Sequence, residues 1–155
     1  TNPQDDVSIL MGRLGLRNDD HDDSRYDSDT TLQVDASGRI TGSSGIIEDR
    51  DDVDVFAFAA GAGALDILVA PRTAADSHHG ANLDIQVSLY DASGKRLLRQ
   101  DASNDVAVRL KKQLPAGRYK LEVTGVGPDS GYGSLGQYVI SGNVPVAGKR
   151  AALDR

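Results

Sequence analysis

From residue 32 onward, apolar and polar positions take turns along the chain. Leu65, Ile67 and Val69 are interleaved with Asp66 and Leu68, and Leu83, Ile85, Val87 and Leu89 with Asp84, Gln86, Ser88 and Tyr90. Val106, Val108 and Leu110 alternate with Ala107, Arg109 and Lys111; Tyr119, Leu121 and Val123 alternate with Lys120, Glu122 and Thr124; Tyr138 and Ile140 close the series. A period of two over four to eight residues is the mark of a strand with one buried face. Residues 32–34, 44–48 and 53–59 are further strand candidates. About eight to ten such strands, with turn signals between them, predict an all-β chain folded as a jelly-roll-like antiparallel β-sandwich.

The first residues follow another pattern. Asn2 can cap a helix, Pro3 suits its first position, and Asp5 and Asp6 favour its positive end. With Val7, Ile9, Leu10, Met11 and Leu14 as apolar positions, a short helix over about 4–11 is predicted, stopped by Gly12 or Gly15. The expected organisation is an N-terminal helix and acidic linker over 1–31, a sandwich over 32–144 and a tail over 145–155. The turns have a signature of their own. Asp35-Ala36-Ser37-Gly38-Arg39 and Asp91-Ala92-Ser93-Gly94-Lys95 are near copies, in which Asp opens a type I turn and Gly takes the left-handed position after it.

Charge changes the picture. Residues 18–54 hold twelve acidic against three basic side chains, a net −9, whereas the whole chain carries −6. Residues 1–17 are neutral and 55–155 come to +3. Carboxylates at this density repel one another unless solvent or a cation intervenes. The acidic balance argues against nucleic acid and against anionic membranes as partners. No apolar run approaches 18 residues, so no membrane span is expected. With no Cys, disulfides, thiolate metal sites and Cys nucleophiles are excluded. The start at Thr1, without Met, is read as that of a fragment or a processed product.

Motifs for catalysis do not assemble. There is no H-E-x-x-H, and Gly42-Ser43-Ser44-Gly45 lacks the spacing of a nucleophile elbow. His78-His79 reads as a solvated loop pair. Gly131-Tyr132-Gly133-Ser134-Leu135-Gly136 matches G-x-G-x-x-G by letters, but a β-like segment follows where a dinucleotide site needs a helix. The chain is therefore not expected to be an enzyme. Asp20-His21-Asp22-Asp23-Ser24 has the 1, 3, 5 spacing of an EF-hand loop, yet Arg25 stands at position 6 and Thr31 at position 12, where Gly and Glu belong. Two readings of the acidic stretch stay open. It is a solvated loop, or residues 18–23 and 48–54 meet at one end of the sandwich as a composite site. A site of that kind would suit Ca²⁺, which takes six to eight oxygens. Asn82 and Asp84 read as braces of a strand-opening turn.

These segments resemble a known family. Gly45-Ile46-Ile47-Glu48 with Asp52-Val53-Asp54-Val55-Phe56-Ala57-Phe58 resembles the start of the bacterial pre-peptidase C-terminal domain. Asn82-Leu83-Asp84-Ile85 with Leu89-Tyr90-Asp91-Ala92-Ser93-Gly94 resembles its middle hairpin. Leu114-Pro115-Ala116-Gly117-Arg118-Tyr119 and Tyr132-Gly133-Ser134-Leu135-Gly136-Gln137-Tyr138 resemble its last two strands. The resemblance covers roughly 18–144. It implies a jelly-roll-like accessory sandwich attached to an upstream catalytic domain of a secreted bacterial hydrolase, chiefly a peptidase. The related collagen-binding domains of clostridial collagenases hold Ca²⁺ between an acidic linker and an acidic loop. By that resemblance the metal ligands are Asp19, Asp20 and Asp22 with Asp51, Asp52 and Asp54, although this linker supplies only Asp where the collagenases supply Glu.

The expected function is that of a non-catalytic, Ca²⁺-binding module that holds a secreted hydrolase on an insoluble polymer, either a collagen-like protein or a polysaccharide. Tyr90, Tyr132 and Tyr138 are the candidate contact residues, since tyrosine joins a flat contact area to a polar tip. The alternative is a domain that assists folding, secretion or maturation of the upstream enzyme and is then cleaved off. A monomer is expected.

Overall fold

The alternation becomes strands. The computed structural model describes residues 20–21, 30–48, 51–72, 83–101, 107–126 and 135–147. Among these lie eight strands: β1 (Ser43–Ile47), β2 (Val53–Ala60), β3 (Gly63–Pro71), β4 (Ile85–Asp91), β5 (Arg96–Asp101), β6 (Val108–Leu114), β7 (Gly117–Gly125) and β8 (Gly136–Asn143). The first pairs with the last, β2 with β7, β3 with β6 and β4 with β5, all antiparallel. Pairings of β3 with β8 and β4 with β7 join these into two four-stranded sheets, ordered β1-β8-β3-β6 and β2-β7-β4-β5. The nesting is that of one long hairpin rolled over on itself, the jelly-roll arrangement.

Inward positions of the two sheets make a single core. Leu65, Ile67 and Val69 of β3 face Ile85, Val87 and Leu89 of β4, and Leu110, Leu121, Phe56 and Ile140 complete the buried layer. Each such side chain contributes about 1.5–3 kcal/mol when fully buried. The core needs no disulfide, and it places β1 and β2 as edge strands on one side of the sandwich with β5 and β6 on the other.

Several expectations are corrected. Residues 32–34 form no strand. They make isolated bridges, Thr31 to Ala57 and Val34 to Ile40, because this segment crosses from the edge of one sheet to the other. Leu32 N–H donates to Ala57 O at 2.9 Å, and Gln33 N–H donates to the Ser43 hydroxyl at 3.0 Å. β5 is an addition to the strands read from alternation. The predicted helix over 4–11 lies outside the described residues, among which there is no helix. No helix there is long and apolar enough to cross a membrane.

The twin turns are alike in atomic detail. Asp35 Oδ1 accepts from Ser37 N–H (2.8 Å), the Ser37 hydroxyl (2.6 Å) and Arg39 N–H (3.0 Å). Asp91 Oδ1 accepts from Ser93 N–H (2.9 Å), the Ser93 hydroxyl (2.6 Å) and Lys95 N–H (3.0 Å). Gly38 and Gly94 take φ of 91° and 85°, which only glycine adopts without strain.

Candidate metal centre

The strand β2 opens with an unusual inward face. Asp52, Asp54, Phe56 and Phe58 share one parity, so the face that carries two core phenylalanines begins with two carboxylates. Asp54 pairs in register with Val123, and Phe56 with Leu121. Asp54 is fully buried and Asp52 nearly so, whereas Asp51 is exposed. The loop between β1 and β2 is closed by Asp52, whose Oδ2 accepts from Glu48 N–H at 2.6 Å.

Opposite Asp54 stands Tyr138 of β8, with no exposed surface, and its hydroxyl donates to Asp54 Oδ2. β1 makes room for this bond. Gly45 pairs in register with Tyr138, and a Cβ at position 45 would collide with the Tyr138 hydroxyl and stand 2.7 Å from Asp54 Oδ2. Burial, then the charge of Asp54 and the hydrogen bond to it, and beyond these the charges of Asp20 and Asp52, push the Tyr138 phenol far above its ordinary range. Tyr138 is thus held as a neutral donor among carboxylates.

Residues 20 and 21 close the open side of the sandwich between β1 and β2. Asp20 Oδ1 accepts from Ile46 N–H at 3.3 Å. His21 lies against Phe56, ring centroids 4.6 Å apart, and Phe56 meets Tyr138 edge-on at 6.4 Å. Ligand atoms of Asp20, His21 and Asp54 all lie within 4.8 Å of one another. The His21 ring, however, points Nε2 at Ser44 O, 2.6 Å away. A carbonyl only accepts, so Nε2 carries the proton and has no lone pair for a metal. Nδ1 keeps its lone pair in that tautomer, so the cluster offers the carboxylates of Asp20 and Asp54 and one ring nitrogen.

Of the six expected ligands, the structure brings Asp20 and Asp54 within reach of one another, turns Asp52 to the Glu48 N–H and leaves Asp51 on the surface. Asp19 and Asp22 lie outside the described residues. Sequence reasoning missed the parts played by Gly45, Tyr138 and His21. A glycine inside a strand pattern is itself a sign of close approach, and Gly45 was such a sign.

The proposed contact tyrosines need correction. Tyr138 shares the parity of Ile140 and belongs to the core, so it presents no face to a ligand. Tyr90 is on the outer parity of β4 but only 7% exposed, with its hydroxyl 3.4 Å from Glu122 Oε1, and little of its ring is open to contact. Tyr132, Asn82 and the pair His78-His79 lie outside the described residues. Asp84 acts through its backbone, its carbonyl accepting from Val126 N–H at 2.7 Å. Gly136, the last glycine of the Gly-rich run, opens β8 and not a helix.

No family model matches the chain, and no curated protein matches it. Among solved structures it is similar to the pre-peptidase C-terminal domain of a collagenase from Bacillus anthracis, with 20% identity and a TM-score of 0.47, covering 64% of this chain and 83% of that one.

Proposed function

We propose that this chain is a non-catalytic accessory domain of a secreted hydrolase, stabilised by Ca²⁺ and serving to hold the enzyme on an insoluble polymer. The observation that carries the reading is the convergence of Asp20 and His21, from before the sandwich, with Asp54 of β2 beside the buried Tyr138 hydroxyl. Two carboxylates drawn together in this way repel, and a divalent cation held by their oxygens offsets that repulsion. The ion would tie residues 20–21 to the β1–β2 side. The order of the strand motifs quoted above supports the accessory role and secretion with a peptidase.

Thermal melting of the chain with millimolar Ca²⁺, with chelator, and with Mg²⁺ tests the ion. Binding to the folded state alone adds about 2.7 kcal/mol at a hundredfold excess over Kd, which is roughly 5–11 °C for a domain of this size. The rise is expected for Ca²⁺ and not Mg²⁺, and is expected to vanish in Asp54→Asn. No Ca²⁺-specific rise in the unaltered chain would overturn the ion, and no retention on collagen, gelatin or polysaccharide would overturn the targeting role.

A further inference from the structure

The outer face of the β2-β7-β4-β5 sheet carries the opposite charge. Register fixes its rows. Ala59 pairs with Arg118, and the next row runs Ala57, Lys120, Tyr90, Arg96 across all four strands. The row after that runs Val55, Glu122, Ser88, Arg99. Val55 and Ser88 are buried, as is Tyr90 in the row before, so the open part of the face is its edge at Ala59, Arg118 and Arg96. Four cations thus share these rows with Glu122. Arg96, Arg99 and Arg118 are exposed, and among the described residues none of them forms an ion pair. Arg109, on the other sheet, differs, for its guanidinium is locked to both oxygens of Asp66 at 2.9 Å.

The same face holds a groove of about 440 Å³, floored by Ala57 and Ala59 and bordered by Thr31, Ala92, Arg118 and Lys120. Alanines at consecutive outward positions of β2 leave the sheet low there, while β7 raises two long cationic side chains about 7 Å apart along the strand. The line from Lys120 to Arg96 crosses two strand spacings, about 10 Å. A ligand that meets all of these must carry repeated negative charge along its length.

We propose that this face binds an anionic polysaccharide, a chain of uronate or sulfated sugars, with Arg118 and Lys120 gripping its acidic groups above the alanine floor. An extended acidic peptide fits less well, because strand addition needs an open sheet edge. Here the edge of β2 is occupied by residues 30–32, with Ala57 N–H donating to Thr30 O and Leu32 N–H to Ala57 O. The shallow methyl floor suits the apolar face of a sugar ring. This inference rests on the polymer-holding half of the proposed function and is independent of the ion.

Isothermal titration of the whole chain with heparin and with polygalacturonate, and with dextran as the neutral control, tests it. Binding to at least one anionic glycan is expected, with none to dextran and with affinity falling as salt rises. Removing two charge contacts in Arg118→Gln/Lys120→Gln is expected to weaken binding about tenfold or more at low salt, at unchanged Tm. Arg109→Gln/Lys111→Gln, which removes the same net charge from the other sheet, is expected to leave it unchanged. Equal weakening by both pairs would reveal diffuse attraction and overturn the site. So would a thymidine oligonucleotide that binds more tightly than either glycan. Retention on collagen with no glycan binding would overturn this inference while leaving the polymer-holding role intact.

Discussion

Aspartate does two different jobs in this molecule, and the contrast between the twin turns and the β1–β2 edge shows how. Asp35 and Asp91 are satisfied within four residues of themselves, each by a hydroxyl and two backbone N–H groups. Asp54 is buried and is met by the Tyr138 hydroxyl, 84 residues away in sequence. A local arrangement can be copied by repeating five residues, as this chain does. A long-range arrangement exists only when the sheet pairing is right, so it depends on the fold and also helps to specify it.

The comparison can be broken most severely at Gly45. Gly45→Ala forces a Cβ into the Tyr138–Asp54 contact and is expected to cost about 3 kcal/mol, from overpacking and a damaged charge-assisted bond; urea unfolding would measure it. Tyr138→Phe, which leaves the buried carboxylate without its phenol donor, is expected to cost about 2 kcal/mol. The two are expected to be partly non-additive, because removing the hydroxyl relieves one clash while the ring carbon Cζ still lies 2.5 Å from the new methyl. A double-mutant cycle with additive costs would show that Gly45 is not there to clear the phenol.

Alkaline melts sharpen the same contact. The folded pKa of Tyr138 is raised, so its contribution is fully present below the unfolded value of about 10 and is lost as pH rises beyond it. Tyr138→Phe is expected to remove that part of the alkaline slope. The smallest effects belong to the turns. The Ser37 hydroxyl, followed by Arg39 N–H, lowers the Asp35 carboxyl pKa, and the Ser93 hydroxyl is the largest cause of the same shift at Asp91. A lowered folded pKa gives stability that is present above about pH 3.9 and lost as pH falls below it. Asp35→Asn and Asp91→Asn are expected to reduce the acid-side slope slightly and equally, as read by melts between pH 2 and 5.

How much of this could be read from the chain follows the same divide. The twin turns were legible because their chemistry lies within five residues, and β3, β4, β7 and β8 because their alternation is clean. β5 was not legible: its two leucines, Leu97 and Leu98, are adjacent. The structure gives the reason, a register shift between Leu89 and Tyr90 that pairs them with Leu98 and Arg96 and leaves Leu97 as the extra residue. In the candidate site, Asp20, Asp52 and Asp54 stood out by charge density. Tyr138 was taken for a surface residue although its parity with Ile140 put it inside. Its partnership with Asp54 needed the pairing of β1 with β8, which no local pattern contains.

That pairing also sets an order in time. Ser43 meets Ile140 in the first-to-last ladder, so β1 has no partner until almost all of the sandwich has been made. Contacts of such long sequence separation are slow to close. The β4–β5 hairpin can form early, whereas the carboxylate cluster stays incomplete until β8 arrives with its phenol. A chain cut short before residue 138 would keep its acidic loops yet lack the donor that joins them to the core. The bond between Asp54 and Tyr138 is thus one of the last contacts to form as the sandwich closes.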